Sequence, residues 1–309
     1  MNRTRREFLG TSSLIISGVV LSRVPALGQT QPPAPPVTPT FDLIRGDVGA
    51  FTARGGTIGY LINADGVMIV DSQFPDTAQM LLDGLKQRTS RPIDLLINTH
   101  HHGDHVGGNK VLRPSVKKIV AHTNVPGLQK AQAERNNNLD DQAYADETFD
   151  REWKASIGKE TIVATHYGPG HTGGDIVIHF QGADVVHMGD LAFRERHPFV
   201  DRQAGASIVN WVTTIESVTK KHGTSAPYIF GHAKDGLPVV CKQADLLAFR
   251  DYFSAVLDHV RKGLAASKSK DEVTALKALP GFEGYMEAPP RLTLAAVLGV
   301  AYDELTTKS

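Results

Sequence analysis

The sequence has a single cysteine, no net charge and no serine-hydrolase motif. Each of these features argues against one kind of structure or function. Its one cysteine, Cys241, cannot form an internal disulfide, and after Val239 and Val240 we expect it to be a small buried residue. The formal net charge of zero argues against nucleic acid as the main partner, because phosphate backbones are bound by basic surfaces. No G-x-S-x-G motif is present, so the sequence offers no serine nucleophile of that kind.

The N-terminal region resembles a twin-arginine export signal. Thr4-Arg5-Arg6-Glu7-Phe8-Leu9 precedes an apolar segment, Leu14–Leu21, that is too short for a permanent transmembrane helix, and Ala26-Leu27-Gly28 supplies the small residues of a cleavage site. The resemblance implies that residues 1–28 are a signal peptide recognised by the twin-arginine export machinery. It also implies a mature protein that is periplasmic or secreted and has no permanent membrane span. Residues 29–40 are proline-rich and are predicted to be a linker.

Short β-favouring runs alternate with amphipathic runs along the rest of the chain. The predicted strands are residues 41–45, 48–53, 58–63, 67–71, 93–98, 118–121, 161–165, 176–180, 185–188 and 228–230, the last of these closing the core. The predicted helices are residues 77–88, capped by Asp76, then 207–220, 243–262 and 292–305, with a shorter helical run at 271–279. The polar segment 123–153 is expected to form a surface helix and a loop that borders a pocket.

The two halves of this pattern repeat weakly, because Val67–Asp71 and Val185–Asp190 each run an apolar strand into an aspartate. Two β-rich halves with helices predict two sheets, each faced by helices. The expected fold class is therefore α/β, a four-layer αββα sandwich with C-terminal helices.

The stretch Asn98–Gly108 carries four potential metal ligands, His100, His102, Asp104 and His105, where a predicted strand leaves the core. Because His100 and His102 are two apart in extended chain, both imidazoles can face one cation. Glycines then let the backbone turn toward Asp104 and His105, a geometry that suits two neighbouring metal ions. A bare histidine run could also be a solvated loop, but the Asp-His pair and three candidates downstream favour a metal site.

This H-x-H-x-D-H pattern resembles the signature of the metallo-β-lactamase superfamily. The resemblance extends over residues 41–236 and includes His171 in a Gly-Pro-Gly-His-Thr-Gly-Gly loop, Asp190 after His187-Met188-Gly189, and His232 after Phe230-Gly231. It implies an αββα domain at 41–240, with a helical extension at 241–309 packed on the same domain. By this match one metal takes His100, His102 and His171, the second takes Asp104, His105 and His232, and Asp190 bridges the two.

Oxygen and nitrogen ligands of these types suit zinc first and iron or manganese next. Two zinc ions that share a solvent molecule make hydroxide available at neutral pH without a protein base. We therefore expect a zinc-dependent hydrolase that cleaves an ester, thioester, lactone or amide bond, β-lactams included, of a small molecule. Asp104 and Asp190 are the expected catalytic residues, and Asp104 could also steer a proton to the leaving group.

The resemblance leaves the bond cleaved open. Having both His105 and Asp190 is more similar to the thioesterases and lactonases of the superfamily than to its di-zinc β-lactamases. One alternative is an oxidoreductase similar to the sulfur dioxygenases, which hold a single iron and share the H-x-H-x-D-H stretch. Another is a periplasmic metal-binding accessory protein without turnover.

Several other residues have less definite roles. Asp71, at the end of its strand, could orient a ligand imidazole or cap a turn. The remaining histidines are expected to be surface residues or to support the ligands: His101, His122, His166, His179, His187, His197, His222 and His259. The candidates for substrate contact, most of them expected to be packing residues, are Tyr60, Phe74, Tyr167, Phe193, Arg194 and Lys234.

Overall fold

Two facing β-sheets form the centre of the protein, and helices cover the outer face of each sheet. The structure is a computed structural model that describes residues 37–307. The predicted signal peptide and most of the predicted linker lie outside the described residues. Within residues 37–307, no helix combines the length and the apolar character that a membrane crossing requires.

The first sheet has seven strands in chain order. They are β1 (Thr40–Arg45), β2 (Val48–Thr52), β3 (Ile58–Ile62), β4 (Val67–Val70), β5 (Ile93–Asn98), β6 (Val116–His122) and β7 (Glu147–Phe149). Strands β1 to β4 form an antiparallel meander, and β4 to β7 are parallel to one another. The carboxyl ends of β4 and β5 therefore lie side by side, which places Asp71 next to the histidine stretch.

The second half of the chain contributes β8 (Glu152–Ile157), β9 (Glu160–Thr165), β10 (Val177–Phe180), β11 (Val185–His187), β12 (Phe193–Arg194), β13 (Tyr228–Ile229), β14 (His232–Ala233) and β15 (Val240–Cys241). Six of them form the second sheet in the order β15-β13-β11-β10-β9-β8. Strands β12 and β14 pair separately, in parallel, and bring Phe193 beside His232.

The described helices are α1 (Pro75–Lys86), α2 (Gly103–Val106), α3 (Asn109–Leu112), α4 (Asn124–Asn136), α5 (Ile208–Lys221), α6 (Gln243–Ala265), α7 (Lys270–Thr274) and α8 (Leu294–Thr306). Strand β4 shows how the layers form, because successive side chains point to opposite faces of a sheet. Met68 and Val70 pack between the sheets, whereas Val67 and Ile69 pack on the helix side with α1. Helices α5, α6 and α8 cover the second sheet around Trp211. The predicted αββα fold is confirmed.

Three local predictions were wrong. Helix α1 begins at Pro75, whose fixed φ suits the first helical position, so Asp76 lies in the first turn and pairs with Arg54 at 2.6 Å instead of capping the helix. Segment 123–153 contains β7 and the start of β8 in addition to helix α4, because three-residue strands are too short to show a period. Residues 228–230 do not form the last core strand, since β15 pairs with β13.

Candidate metal centre

All seven predicted ligands converge at one edge of the sandwich, where strand-end loops of both sheets meet. The ligand atoms of three groups each lie within 4.8 Å of one another: His100, His102 and His171; His100, His105 and Asp190; and Asp104, His105 and His232. We call the first group the histidine site and the last group the carboxylate site. Asp190 belongs to the group between them.

At the histidine site, two ring nitrogens face each other without a proton to share. His171 Nε2 lies 2.8 Å from His102 Nδ1. The other nitrogen of His171, Nδ1, is 2.7 Å from the Phe199 carbonyl oxygen, which can only accept, so the ring proton is on Nδ1. His102 likewise donates from Nε2 to Asp201 Oδ2 at 3.0 Å. Two lone pairs at this distance repel each other, and a bound cation would turn that repulsion into coordination.

His100, the third imidazole of the histidine site, also has one ring nitrogen in a hydrogen bond and the other without a partner among the described residues. Thr99 gives its hydroxyl proton to Asp71 Oδ2 at 2.7 Å and can therefore accept from His100 Nδ1 at 3.0 Å. His100 Nε2 is buried and has no hydrogen-bond partner in the described chain. Burial lowers the pKa of His100 well below its usual value and, together with neighbouring His102, lowers the pKa of His171 to about 3. His100 and His171 are therefore neutral, the form in which an imidazole binds metal.

The carboxylate site is more acidic. Asp104 Oδ2 lies 3.1 Å from His232 Nε2 and 3.7 Å from His105 Nε2. Burial acts to lower the pKa of His232, but Asp190 and Asp104 outweigh it and raise that pKa to about 9. The pKa of His105 is also raised well above its usual value, because the nearby carboxylates, Asp190 first, outweigh burial. This side of the centre therefore attracts positive charge, which divalent metal would supply in place of protons.

Asp190 contacts ligands of both sites. Its Oδ1 lies 3.0 Å from His105 Nε2, and its Oδ2 lies 3.4 Å from His232 Nε2 and 3.5 Å from His171 Nε2. The side chain is only 5% exposed, and its Oδ1 has no hydrogen bond within the described residues. A carboxylate in this position can bind two metal ions at once.

Asp71 fixes the orientation of the ligands. Its Oδ2 accepts from His105 Nδ1 at 2.8 Å, and its Oδ1 accepts from the Thr99 backbone N–H at 2.7 Å. The residue has a left-handed φ of 69°, a conformation that aspartate tolerates better than most residues. The sequence left two roles open for Asp71, and the structure shows its side chain in contact with the His105 imidazole. Through Thr99 it also reaches His100.

Close contacts around the ligands account for the glycines at positions 56 and 231 and for the role of Asp175. A Cβ at Gly56 would overlap the His105 ring, and one at Gly231 would overlap Asp190 Oδ1. Asp175 Oδ2 accepts from the backbone N–H groups of Gly170 and Thr172 at 3.2 and 2.8 Å. These bonds hold the loop on both sides of His171 and so keep its imidazole in place.

The sequence did not single out Asp201, which supports the histidine site. Burial raises the pKa of Asp201, but the hydrogen bond from His102 outweighs it and lowers the pKa to about 2, so the side chain is ionised. His101 Nε2 lies 3.7 Å from the same carboxylate and is buried. Asp201 lies in a loop without a recognisable motif, 30 residues after His171, so only the folded chain reveals this contact.

A cavity of about 450 Å³ opens over the centre and is lined by His102, Asp104, His171, Asp190 and His232. Among the predicted substrate contacts, Phe74 and Phe193 line it, and Lys234 lines an adjoining groove. Tyr60 packs in the outer core, Tyr167 packs against the helix-covered face of the second sheet, and Arg194 donates to the Pro238 carbonyl oxygen. Gln132 and Asn136 also line it and belong to the segment expected to border a pocket, whereas the sequence analysis missed the other lining residues, namely Arg196, Phe199, Ala288, Pro290, Arg291 and Leu292.

Comparison with known proteins agrees with this arrangement. The sequence model of the metallo-beta-lactamase superfamily matches residues 52–234. A type 2 metallo-beta-lactamase of Bacillus cereus is 25% identical over 182 residues, 58% of this chain and 67% of the relative. A hydroxyacylglutathione hydrolase of Crocosphaera subtropica is 31% identical over 117 residues, 38% of this chain and 40% of the relative.

Solved structures show the same fold. A metallo-beta-lactamase from Pontibacter korlensis superimposes with a TM-score of 0.57 at 18% identity, and the alignment covers 70% of this chain and 99% of that one. All seven predicted ligands lie inside residues 52–234, whereas helices α6 to α8 lie outside that range. The matched segment therefore contains the whole candidate metal centre, and the wall that residues 288–292 add to the cavity lies beyond it.

Proposed function

The chain belongs to the metallo-beta-lactamase superfamily, and from that premise we propose that it is a hydrolase with two divalent metal ions, zinc first and iron or manganese next. The proposed reaction is cleavage of an ester, thioester, lactone or amide bond of a small molecule, β-lactams included, by hydroxide that the bound ions would make available. One observation carries the proposal: the facing ring nitrogens of His102 and His171 lie beside Asp190, a carboxylate that also reaches His105.

The proposed ligand sets follow the geometry. His100, His102 and His171 would hold one ion, Asp104, His105 and His232 the other, and Asp190 would contact both. Bound zinc supplies Lewis acidity and makes hydroxide available near neutral pH. The orphaned, buried Nε2 atom of His100 supports this assignment, because a buried acceptor without a partner costs free energy that a cation removes.

The side chains that line the cavity provide proton transfer and apolar surroundings for the proposed reaction. Asp104 is the most exposed proposed ligand, at 28%, and lines the cavity. Burial raises its pKa, but His105 and His232 outweigh burial and lower it, so the side chain is ionised and could steer a proton to a leaving group only after accepting one. Phe193 stacks on His232 with ring centroids 5.4 Å apart and planes 19° apart. Phe74 and Phe199 add apolar wall, which limits water around a bound substrate.

An activity screen tests the proposal. Zinc-loaded protein is assayed with nitrocefin, acyl lactones and thioesters, beside Asp104→Asn and an Asp258→Asn control on the exposed face of α6. We expect hydrolysis of at least one class, abolished in Asp104→Asn and retained in the control. One iron per chain with no hydrolysis would favour the dioxygenase alternative, and metal binding without any turnover would favour an accessory role.

We also propose export through the twin-arginine signal, which would place the mature protein in the periplasm or outside the cell. The paired arginines before the Leu14–Leu21 apolar segment support this. Replacement of both by lysine in the full-length chain should leave the protein in the cytoplasmic fraction, whereas export of that variant would refute the assignment. In the exported form, residues 41–240 are the proposed catalytic domain and residues 241–309 its helical extension.

A further inference from the structure

The cavity over the metal centre has walls of two different origins. Its floor consists of metal-centre residues from the segment that the family model matches. One wall comes from residues 288–292, between α7 and α8 and outside that segment. A feature built on this wall is not explained by the shared ligand set.

Backbone hydrogen bonds hold the added wall in place. Met286 N–H donates to the Glu195 carbonyl oxygen at 2.8 Å, and His197 N–H donates to the Met286 carbonyl oxygen at 3.1 Å. Ala288 and Leu292 exchange two further bonds, of 2.8 and 3.1 Å, across the turn. The turn is thus fixed against the chain that follows Asp190, and Arg291 is held at the rim of the cavity.

Two arginines line this cavity, Arg196 and Arg291. Within residues 37–307 neither guanidinium forms an ion pair or a hydrogen bond to another residue, and Arg196 Nε is buried without a partner. Other arginines of the described chain are paired: Arg54 with Asp76, and Arg113 with Asp146. The Arg291 guanidinium carbon lies 5.6 Å from the Phe199 ring centroid, which steadies the side chain from one side only.

The charges around the cavity show what these arginines can bind. The two carboxylates on the floor, Asp104 and Asp190, are directed at the ligand histidines and would be neutralised by bound metal. No other acidic side chain within the described residues lines the cavity. The arginines therefore lack a protein anion, and their planar forks match carboxylate and sulfonate oxygens in pairs.

We propose that Arg196 and Arg291 bind an anionic group of the substrate and so select small molecules that carry a carboxylate or a sulfonate beside the bond to be cleaved. This inference rests on the proposed hydrolase function, since it assigns that site's substrate class. Phe74, Phe199, Pro290 and Leu292 in the same walls indicate a short apolar connection between the anion and the reacting bond.

Binding of zinc-directed thiols tests the inference without turnover. Zinc-loaded protein is titrated by calorimetry with 3-mercaptopropionate, 2-mercaptoethanesulfonate and the neutral methyl ester of the first. We expect at least one anionic thiol to bind about tenfold or more tighter than the ester, equivalent to about 1.4 kcal/mol. In the double variant Arg196→Gln/Arg291→Gln the ratio should fall to near one. Each single variant, Arg196→Gln or Arg291→Gln, should also lower the ratio. The matched control for these is Arg261→Gln on α6, which removes one charge as they do, from an exposed arginine that does not line the cavity, and should keep the wild-type ratio.

The outcomes separate the two proposals. A wild-type ratio near one, or a high ratio that survives in the double variant, would overturn the anion inference. Loss of the ratio in Arg261→Gln as well would also overturn it, since net charge alone would then explain it. A protein that keeps its zinc and its binding ratio but hydrolyses nothing refutes only the hydrolase proposal, whereas a protein that binds no metal refutes both.

Discussion

The histidine site and the carboxylate site hold the same number of ligands in very different surroundings. Each imidazole of the histidine site has its second nitrogen fixed by a partner, and His171 is 1% exposed. At the carboxylate site only His105 is fixed in that way, while His232 and Asp104 are 15% and 28% exposed. Preorganised neutral ligands bind metal at less cost than mobile charged ones. We therefore expect the histidine site to fill first and to hold its ion more tightly.

The largest expected effect concerns the residue that links the two sites. Asp190→Ala should leave one metal per chain and lower activity by more than about 100-fold, because it removes a direct ligand, whereas loss of an outer partner alone costs 10 to 100-fold. Metal content by mass spectrometry and the rate on the best substrate measure this. Asp258→Ala, on an exposed helix face, serves as the control, and two retained ions in Asp190→Ala would show that this side chain does not bridge.

Two reciprocal variants sharpen the comparison. Asp71→Asn should weaken the carboxylate site by about 10 to 100-fold, since it removes the charge that orients His105 and keeps a residue that tolerates the left-handed backbone. Asp201→Asn should weaken the histidine site by a similar factor through His102. Zinc titrations that show both variants weakening the same site would erase the distinction between the sites.

Lowering the pH should weaken zinc binding more at the carboxylate site than at the histidine site. His232 has a pKa raised to about 9 by Asp190 and Asp104, so below that pH a metal must displace a proton there, and affinity falls as pH falls. His171 has a pKa lowered to about 3, so its site competes with no proton on that residue between pH 6 and 8. Since the pKa of His105 is raised as well, two protons must leave the carboxylate site, and from pH 8 to pH 7 the weaker zinc constant should drop by about 100-fold. Equal pH dependence of both constants would contradict this reasoning.

The smallest expected effect comes from the ring that stacks on the carboxylate site. Phe193→Leu removes the contact with His232 and keeps an apolar side chain of similar volume next to Trp211. An aromatic pair is worth about 0.5–1.5 kcal/mol, so the weaker zinc constant should change by only a few-fold to about tenfold. The tighter constant should stay the same, and a change in that constant instead would place Phe193 with the other site.

The sequence predicted the fold and the ligand cluster from different kinds of signal. Strand β4 is a continuous apolar run, the pattern of a strand buried on both faces, and its side chains pack alternately between the sheets and against the helices. Strands β7 and β15 have three and two residues, too few to show a period. The ligands that follow His100 were identifiable because glycines and strand ends frame each of them.

Loop residues that contact the ligands or line the cavity could not be predicted from such local signals. Asp201, Arg196 and Arg291 stand in loops whose sequences match no motif, and their roles come from long-range contacts. Asp76 illustrates a local failure, since the helix begins at Pro75, two positions before the predicted start. The ligand set is thus encoded locally, whereas the supports and the cavity rim depend on how the loops fold back.

The most direct test of the account is a zinc titration of the metal-free protein at pH 8, followed by native mass spectrometry and calorimetry. The account predicts two sequential steps with different affinities and a final content of two zinc ions per chain. Saturation at a single ion, with all the ligand residues intact, would contradict the convergence of both sites on Asp190.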